Sequence, residues 1–158
     1  MQDNAIALPP ASFLARIASM VYELLLVTAV LLVASVPFLF FYFLYLFLIG
    51  NAMTGWLLLP RWFIRVFQLY LTGVLFAYFS AFWMRSGQTL AMKTWRIRLV
   101  NRSGGLLTLR QSALRFVIAL IGLLLAGVGF WWALFDRDRQ FLHDRMAGTR
   151  LVRVPRKA

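Results

Sequence analysis

The longest apolar stretch of the sequence decides which class of fold is open to the chain. From Ile17 to Ile49 the only charged residue is Glu23. A straight helix of that length would extend about 50 Å, whereas the hydrocarbon core of a bilayer is roughly 30 Å thick. The stretch is therefore predicted to span a membrane as a helix. Either it is tilted and extends beyond the bilayer, or it bends near Pro37, which removes a backbone donor.

Two further apolar stretches follow, at residues 62–84 and 113–135. Of the 158 residues, 62% are apolar and 14% charged, which leaves too little polar sequence to coat a water-soluble globule. The sequence thus predicts an all-α integral membrane protein that forms a single domain over residues 1–158, with spans at about 17–49 and 62–84. Because the chain has no cysteine, a disulfide scaffold, a cysteine-based zinc site and a thiol nucleophile are excluded.

The placement of the basic residues predicts the orientation of the chain. The 17 basic and 5 acidic residues give a net charge of +12, and the excess lies mainly in segments 85–111 and 136–158. The connection over residues 50–60 has no charge. Since basic segments stay on the cytoplasmic side of a membrane, the N-terminus, both basic segments and the C-terminus are predicted to be cytoplasmic.

The third apolar stretch conflicts with this orientation. A single crossing by residues 113–135 would leave the basic C-terminal segment outside the cell. One interpretation is a re-entrant or interfacial helical pair, bent near Gly127-Val128-Gly129. In the other interpretation, residues 113–135 cross the membrane once, and the chain is an exception to the rule that basic segments stay on the cytoplasmic side.

The polar segments predict a small basic β element on the cytoplasmic side. Residues 94–100 alternate apolar and basic side chains, which is the pattern of a strand. The turn-forming residues 101–105 follow, and Leu106-Leu107 is predicted to be a short return strand. Residues 108–111 match a capping box at the start of a helix, and residues 149–154 predict another short strand.

Three strings of residues stand out along the chain. They are Arg16-Ile17-Ala18 with Glu23, then Gly87-Gln88-Thr89-Leu90 with Arg98-Leu99-Val100, and His143-Asp144-Arg145-Met146-Ala147-Gly148-Thr149. Together they resemble the RDD family of bacterial membrane proteins. The resemblance extends from about Arg16 to Val152, and the string near the C-terminus is its most specific part.

The resemblance implies a multi-pass protein of the bacterial inner membrane, a suggested role in transport and, for some members, cation–proton exchange. The family is named after one arginine and two aspartates. By position, Arg16 matches the arginine and Asp144 the later aspartate. Glu23 stands where the family has its first aspartate, which keeps the charge and adds one methylene. His143, Arg145, Gly148 and Thr149 support the motif.

Glu23 is the sharpest candidate for function. An ionised carboxylate inside a bilayer is costly unless it is paired, hydrated or protonated. In the functional interpretation, Glu23 binds a proton or cation in a transport path. In the structural one, it lies near the inner interface and is neutralised by a basic residue such as Arg115 or one in the C-terminal segment.

His143 and Asp144 are not expected to act as an acid–base dyad, because adjacent residues of a helix do not face each other. Asp144 is instead expected to accept hydrogen bonds from backbone amides or from Arg16, fixing the tail to the inner end of the first helix. A single histidine does not make a metal site. The sequence therefore predicts no metal, no cofactor and no enzymatic activity.

The arginines of the central basic segment are expected to bind membrane lipids. Arg96, Arg98 and Arg102 flank membrane spans, where basic segments meet anionic headgroups, so nucleic acid is not an expected partner. A homo-oligomer or another membrane protein is a possible partner. Three function classes follow: transport through Glu23, an accessory or scaffold role, and handling of lipid headgroups.

Overall fold

The computed structural model describes residues 9–50, 60–125, 132 and 141–155. These residues group into two compact units. The first consists of the chain up to Leu24 and from Tyr78 onwards, and the second is Leu25–Ala77. In chain order, the elements are α1 (Phe13–Leu48), α2 (Arg61–Arg85), α3 (Leu90–Thr94), β1 (Ile97–Asn101), α4 (Leu109–Leu124), α5 (Leu142–Met146) and β2 (Thr149–Arg153).

The two long helices match the two predicted spans. Helix α1 has 36 residues and α2 has 25, and both are apolar and long enough to cross a membrane. Helix α1 continues through Pro37 without a break in its helical assignment. At a rise of 1.5 Å per residue it is about 54 Å long, which exceeds the roughly 30 Å of a hydrocarbon core.

Aromatic rings hold together the unit Leu25–Ala77. Tyr42, Leu46 and Phe63 are buried there, and the rings of Tyr42 and Phe63 have centroids 3.8 Å apart. The hydroxyl of Tyr70 donates to the carbonyl of Ala34 at 3.1 Å. This carbonyl lies in the helical turn before Pro37, where the missing N–H of proline weakens the backbone ladder.

A two-stranded antiparallel sheet organises the other unit. Ile97 pairs with Arg153 and Asn101 with Thr149. The segment before α1 joins this sheet, because Pro10 forms a bridge with Val152 and the N–H of Ala11 donates to the carbonyl of Leu151 at 3.0 Å. Apolar side chains from both strands pack into one core with others from the unit: Ala11, Trp83, Met92, Ile97, Leu99, Leu107 and Leu151.

The predicted β element is present, with two corrections. The first strand begins at Ile97 rather than at residue 94, because Thr89 caps the short helix α3 and Arg96 has a left-handed backbone with φ 52°. The predicted return strand at Leu106-Leu107 is wrong: these two residues form no strand, and β1 pairs with β2. The capping box at the start of α4 is confirmed: Thr108 accepts from the N–H of Gln111, whose side chain accepts from the N–H of Thr108.

Helix α4 exposes several large apolar side chains and buries two polar ones. Leu114, Val117 and Ile121 are exposed, whereas Ser112 and Arg115 are buried. This is the reverse of a helix on a water-soluble domain, and it fits an environment of lipid. Residues 126–131 and 133–135 of the third apolar stretch, including Gly127-Val128-Gly129, lie outside the described residues.

Candidate functional site

The carboxylate of Glu23 is bound by two hydroxyl groups. Glu23 lies on α1 and is half-buried. The hydroxyl of Tyr78, on α2, donates to Oε1 at 3.0 Å. The hydroxyl of Thr89 donates to Oε2. Neutral donors of this kind satisfy a carboxylate without bringing a positive charge beside it.

Thr89 also starts helix α3. Its side chain is fully buried, and its Oγ1 accepts a hydrogen bond from the N–H of Met92 at 3.3 Å. Threonine is a favoured residue at this capping position. One hydroxyl therefore caps a helix and donates to Glu23. Thr89 belongs to the string Gly87-Gln88-Thr89-Leu90, and this string is the sequence signal that could have identified it. The sequence alone did not predict its contact with Glu23.

The expectation that Arg115 neutralises Glu23 is wrong. Arg115 forms its ion pair with Asp144. In the part of the chain that the structure describes, Glu23 has no basic side chain within 4 Å. Sequence order could not show this, because the partners of Glu23 come from α2 and from the loop that follows it.

Glu23 and its two hydroxyl donors form one polar centre, and Arg115 and Asp144 form a second one, which is deeply buried. Asp144 is 0% exposed and Arg115 is 4% exposed. Arg115 Nη1 also donates to Thr149 Oγ1 at 3.0 Å, and Thr149 Oγ1 donates to the carbonyl of Asp144 at 3.3 Å. The guanidinium carbon of Arg115 lies 5.0 Å from the centroid of the Trp83 ring. Such a pair fixes α4 to α5 and β2.

Arg16 is buried near the start of α1. It is 3% exposed, and its Nε donates to the carbonyl of Ala11 at 3.0 Å. Its positive charge lies near enough to repel the positive charge of Arg115. The ion-pair partner found for Asp144 is Arg115, a residue to which the sequence analysis did not assign this role.

His143 is buried beside this pair. Its Nε2 lies 3.6 Å from Asp144 Oδ1, which is too long for a hydrogen bond, and its ring stacks on Phe141 with centroids 5.5 Å apart. Burial, and secondarily the positive charge of Arg115, hold the pKa of His143 well below its usual value. His143 is therefore neutral in the folded protein at neutral pH.

This lowered pKa predicts a loss of stability in acid. Below about pH 6.5 the unfolded chain binds a proton on His143, and the folded chain does not. The free energy of unfolding is therefore expected to fall with pH by at most about 1.4 kcal/mol per pH unit from this group. Thermal unfolding in neutral detergent between pH 7.5 and 5 measures the slope.

His143→Gln is the matched variant, because His143 is the only histidine of the chain. It is expected to flatten the slope between pH 6.5 and 5. An unchanged slope in this variant would assign the acid sensitivity to other groups.

The remaining predicted residues lie in different surroundings. Arg96, Arg102 and Arg145 are exposed, and Arg98 is half-buried against Gly87. Gly148 has a left-handed backbone with φ 64°. Among the described residues there is no group of three His, Cys, Asp or Glu side chains that could hold a metal ion.

Comparisons with known proteins agree with these observations. The sequence profile of the RDD family matches residues 10–148. An uncharacterized protein of Rickettsia prowazekii (strain Madrid E) is 31% identical over 81 residues, which covers 51% of this chain and 44% of that protein. The chain thus matches less than half the length of this relative. No solved structure matches the chain significantly. The match over residues 10–148 spans both long helices, strand β1 and most of the C-terminal motif, so the chain belongs to the RDD family.

Proposed function

We propose that this RDD-family membrane protein exchanges a small cation for protons, with the Glu23 carboxylate as the ionisable group. The observation that supports the proposal is the set of contacts of Glu23. Its oxygens accept from the hydroxyls of Tyr78 and Thr89, and no basic side chain of the described residues pairs with it. A carboxylate that is already paired with a basic side chain would have little capacity to bind a transported cation.

The chemistry follows from these contacts. The ionised carboxylate accepts two hydrogen bonds and still has free lone pairs, with which it can bind a monovalent cation or a proton. When a proton binds, the cation leaves, and when the proton leaves, the cation returns. Because both ligands need the same oxygens, their binding is mutually exclusive.

The depth of Glu23 is compatible with access from one side of the membrane. Glu23 is ten residues from Phe13, the first residue of α1, which corresponds to about 15 Å along a helix axis. Its half-buried side chain leaves room for an ion to approach. Intramembrane carboxylates commonly mark ion and proton paths.

The pairing of the strands supports a cytoplasmic position for the basic segments. Residues 9–11, β1 and β2 are hydrogen-bonded to one another, so they lie on the same side of a membrane. The segment 85–110, which contains β1, is rich in arginine and has no acid. Under the positive-inside rule these features favour a cytoplasmic C-terminus. They also favour a re-entrant or interfacial third apolar stretch over one that crosses the membrane a single time.

Ion flux in proteoliposomes tests the proposal. Purified protein is reconstituted with an entrapped pH indicator, and a sodium or potassium gradient is applied. The native chain is expected to couple the cation gradient to proton movement, and Glu23→Gln is expected to reduce this flux to the level of protein-free vesicles. Glu23→Asp is the matched control, because it keeps the charge, and it is expected to retain part of the flux.

Two outcomes would contradict the proposal. The first is equal proton flux in vesicles with and without the native protein. The second is full flux with Glu23→Gln, provided that the variant elutes and unfolds like the native protein.

An accessory role is the second candidate, supported by the exposed apolar surface of α1. Val33, Phe40, Phe41 and Phe47 are all more than 60% exposed. Lipid or the helices of another membrane protein can cover such a surface. In this case, flux is absent and Glu23 only fastens α1 to Tyr78 and Thr89.

A further inference from the structure

An open pocket shares no lining residue with the hydrogen-bonded groups around Glu23 or with the pair of Arg115 and Asp144. It is formed by the turn after β1, the first turn of α4 and the end of α5, and its volume is about 450 Å³. None of its lining residues is acidic. They are Asn101, Arg102, Ser103, Gln111, Met146, Ala147 and Gly148.

The two amide side chains of the pocket have their oxygens occupied. Asn101 Oδ1 accepts from Ser103 Oγ and from the N–H of Gly105, both at 2.8 Å. Gln111 Oε1 accepts from the N–H and the hydroxyl of Thr108, at 3.0 and 3.3 Å. The amide nitrogen of Gln111 forms no hydrogen bond within the described residues. Neither side-chain amide oxygen of the pocket is therefore free, whereas the amide of Gln111 can still donate.

The positive charge of the pocket comes from Arg102. Its exposed guanidinium has no ion pair or hydrogen bond to any residue that the structure describes. It lies across Gly148, where an added Cβ would be 3.4 Å from Arg102 Nε. The backbone N–H groups of Arg102 and Ser103 also have no protein acceptor in this part of the chain. The lining residues thus hold unused donors besides the guanidinium.

The acid next to this pocket in sequence does not compete for Arg102. Asp144 is fully buried and paired with Arg115. An anion that enters the pocket would therefore meet a free arginine without a neighbouring carboxylate among the lining residues.

We propose that this pocket binds a phosphate group, either in the headgroup of an anionic lipid or as free phosphate. The ionised oxygens of a phosphate only accept hydrogen bonds, which suits the guanidinium of Arg102 and the unused amide of Gln111. Met146 lines the pocket and is 59% exposed, so an apolar side chain is available for the glycerol or acyl part of a lipid.

Binding to the purified full-length chain in neutral detergent tests the proposal. Calorimetry is carried out with three probes: inorganic phosphate, dioctanoyl phosphatidylglycerol and dioctanoylglycerol, which has the same acyl chains and no phosphate. Phosphatidylglycerol is expected to bind more tightly than dioctanoylglycerol. Binding of inorganic phosphate as well would identify the free anion as a ligand, and binding of the lipid alone would identify the headgroup.

Two variants locate the binding in the pocket. Arg102→Gln is expected to weaken binding of the phosphate probe roughly tenfold, the effect of losing a hydrogen bond to a charged group. Gln111→Glu keeps the oxygen that closes the capping box and replaces the free amide donor by a negative oxygen. It is expected to weaken phosphate binding at least as much while the helix stays capped, since glutamate suits the first turn of a helix.

Lys93→Gln is the matched control, because it removes the same charge from an exposed position of the same basic segment outside the pocket. It is expected to leave binding within about twofold. The proposal is overturned if Lys93→Gln weakens binding as much as Arg102→Gln, if dioctanoylglycerol binds as tightly as phosphatidylglycerol, or if neither phosphate probe binds.

Discussion

Asp144→Asn is expected to lower the free energy of unfolding by about 3–5 kcal/mol, because it leaves the guanidinium of Arg115 buried without its counter-charge. Arg115 is 4% exposed, and the buried Arg16 adds a second positive charge that acts on it. Water cannot replace the lost carboxylate at such a site. A drop of this size is a large part of the stability of a small domain.

The measurement is thermal or denaturant unfolding in neutral detergent. Lys93→Gln removes one charge from an exposed position and is expected to change stability by no more than about 0.5 kcal/mol. The double variant Asp144→Asn with Arg115→Met removes both charges and is expected to recover part of the loss. If Asp144→Asn unfolds like the native protein, the pair does not contribute to stability as argued.

Gly87→Ala is expected to be the second severe substitution, with a cost of about 3 kcal/mol or more. Gly87 has φ 68°, a conformation that costs an ordinary residue about 1–2 kcal/mol. In addition, an added Cβ would lie 2.5 Å from the backbone oxygen of Leu99. To relieve this contact the two backbones must separate, which breaks the 2.7 Å hydrogen bond from the Leu99 N–H to the Gly87 carbonyl.

Two other glycines distinguish the cost of the left-handed backbone from the cost of the contact with Leu99. Gly50 has φ 74° and no neighbour within 4 Å in the described residues, so Gly50→Ala is expected to cost only about 1–2 kcal/mol from its backbone conformation. Gly73 lies inside α2 with open space, and Gly73→Ala is expected to be neutral or stabilising by up to about 1 kcal/mol. If Gly87→Ala costs no more than Gly50→Ala in the same unfolding assay, the contact with Leu99 is not decisive.

Features carried by local sequence patterns were predictable. The long apolar runs predicted α1 and α2, and the Thr108–Gln111 string predicted the capping box. The alternation up to Val100 predicted a strand, although it could not reveal that Thr89 caps a helix first or that Arg96 adopts a left-handed backbone. These two features depend on hydrogen bonds and packing that residue alternation does not encode.

Partners distant in sequence were not predictable. Glu23 stood out because it is alone in an apolar run, but its hydroxyl donors follow it by 55 and 66 residues. In the same way, Arg115 and Asp144 were both visible as charges, and only the fold pairs them. The return strand at Leu106-Leu107 failed for the same reason, since the distant β2 pairs with β1 instead.

The bridge between Pro10 and Val152 has a consequence for biosynthesis. Helix α1 is synthesised before Tyr78 and Thr89, whose hydroxyls donate to Glu23. The sheet that joins residues 9–11 to β1 closes only after β2 has been made. The unit that contains the sheet is therefore completed at the end of synthesis, although the carboxylate of Glu23 is present from the first helix onwards.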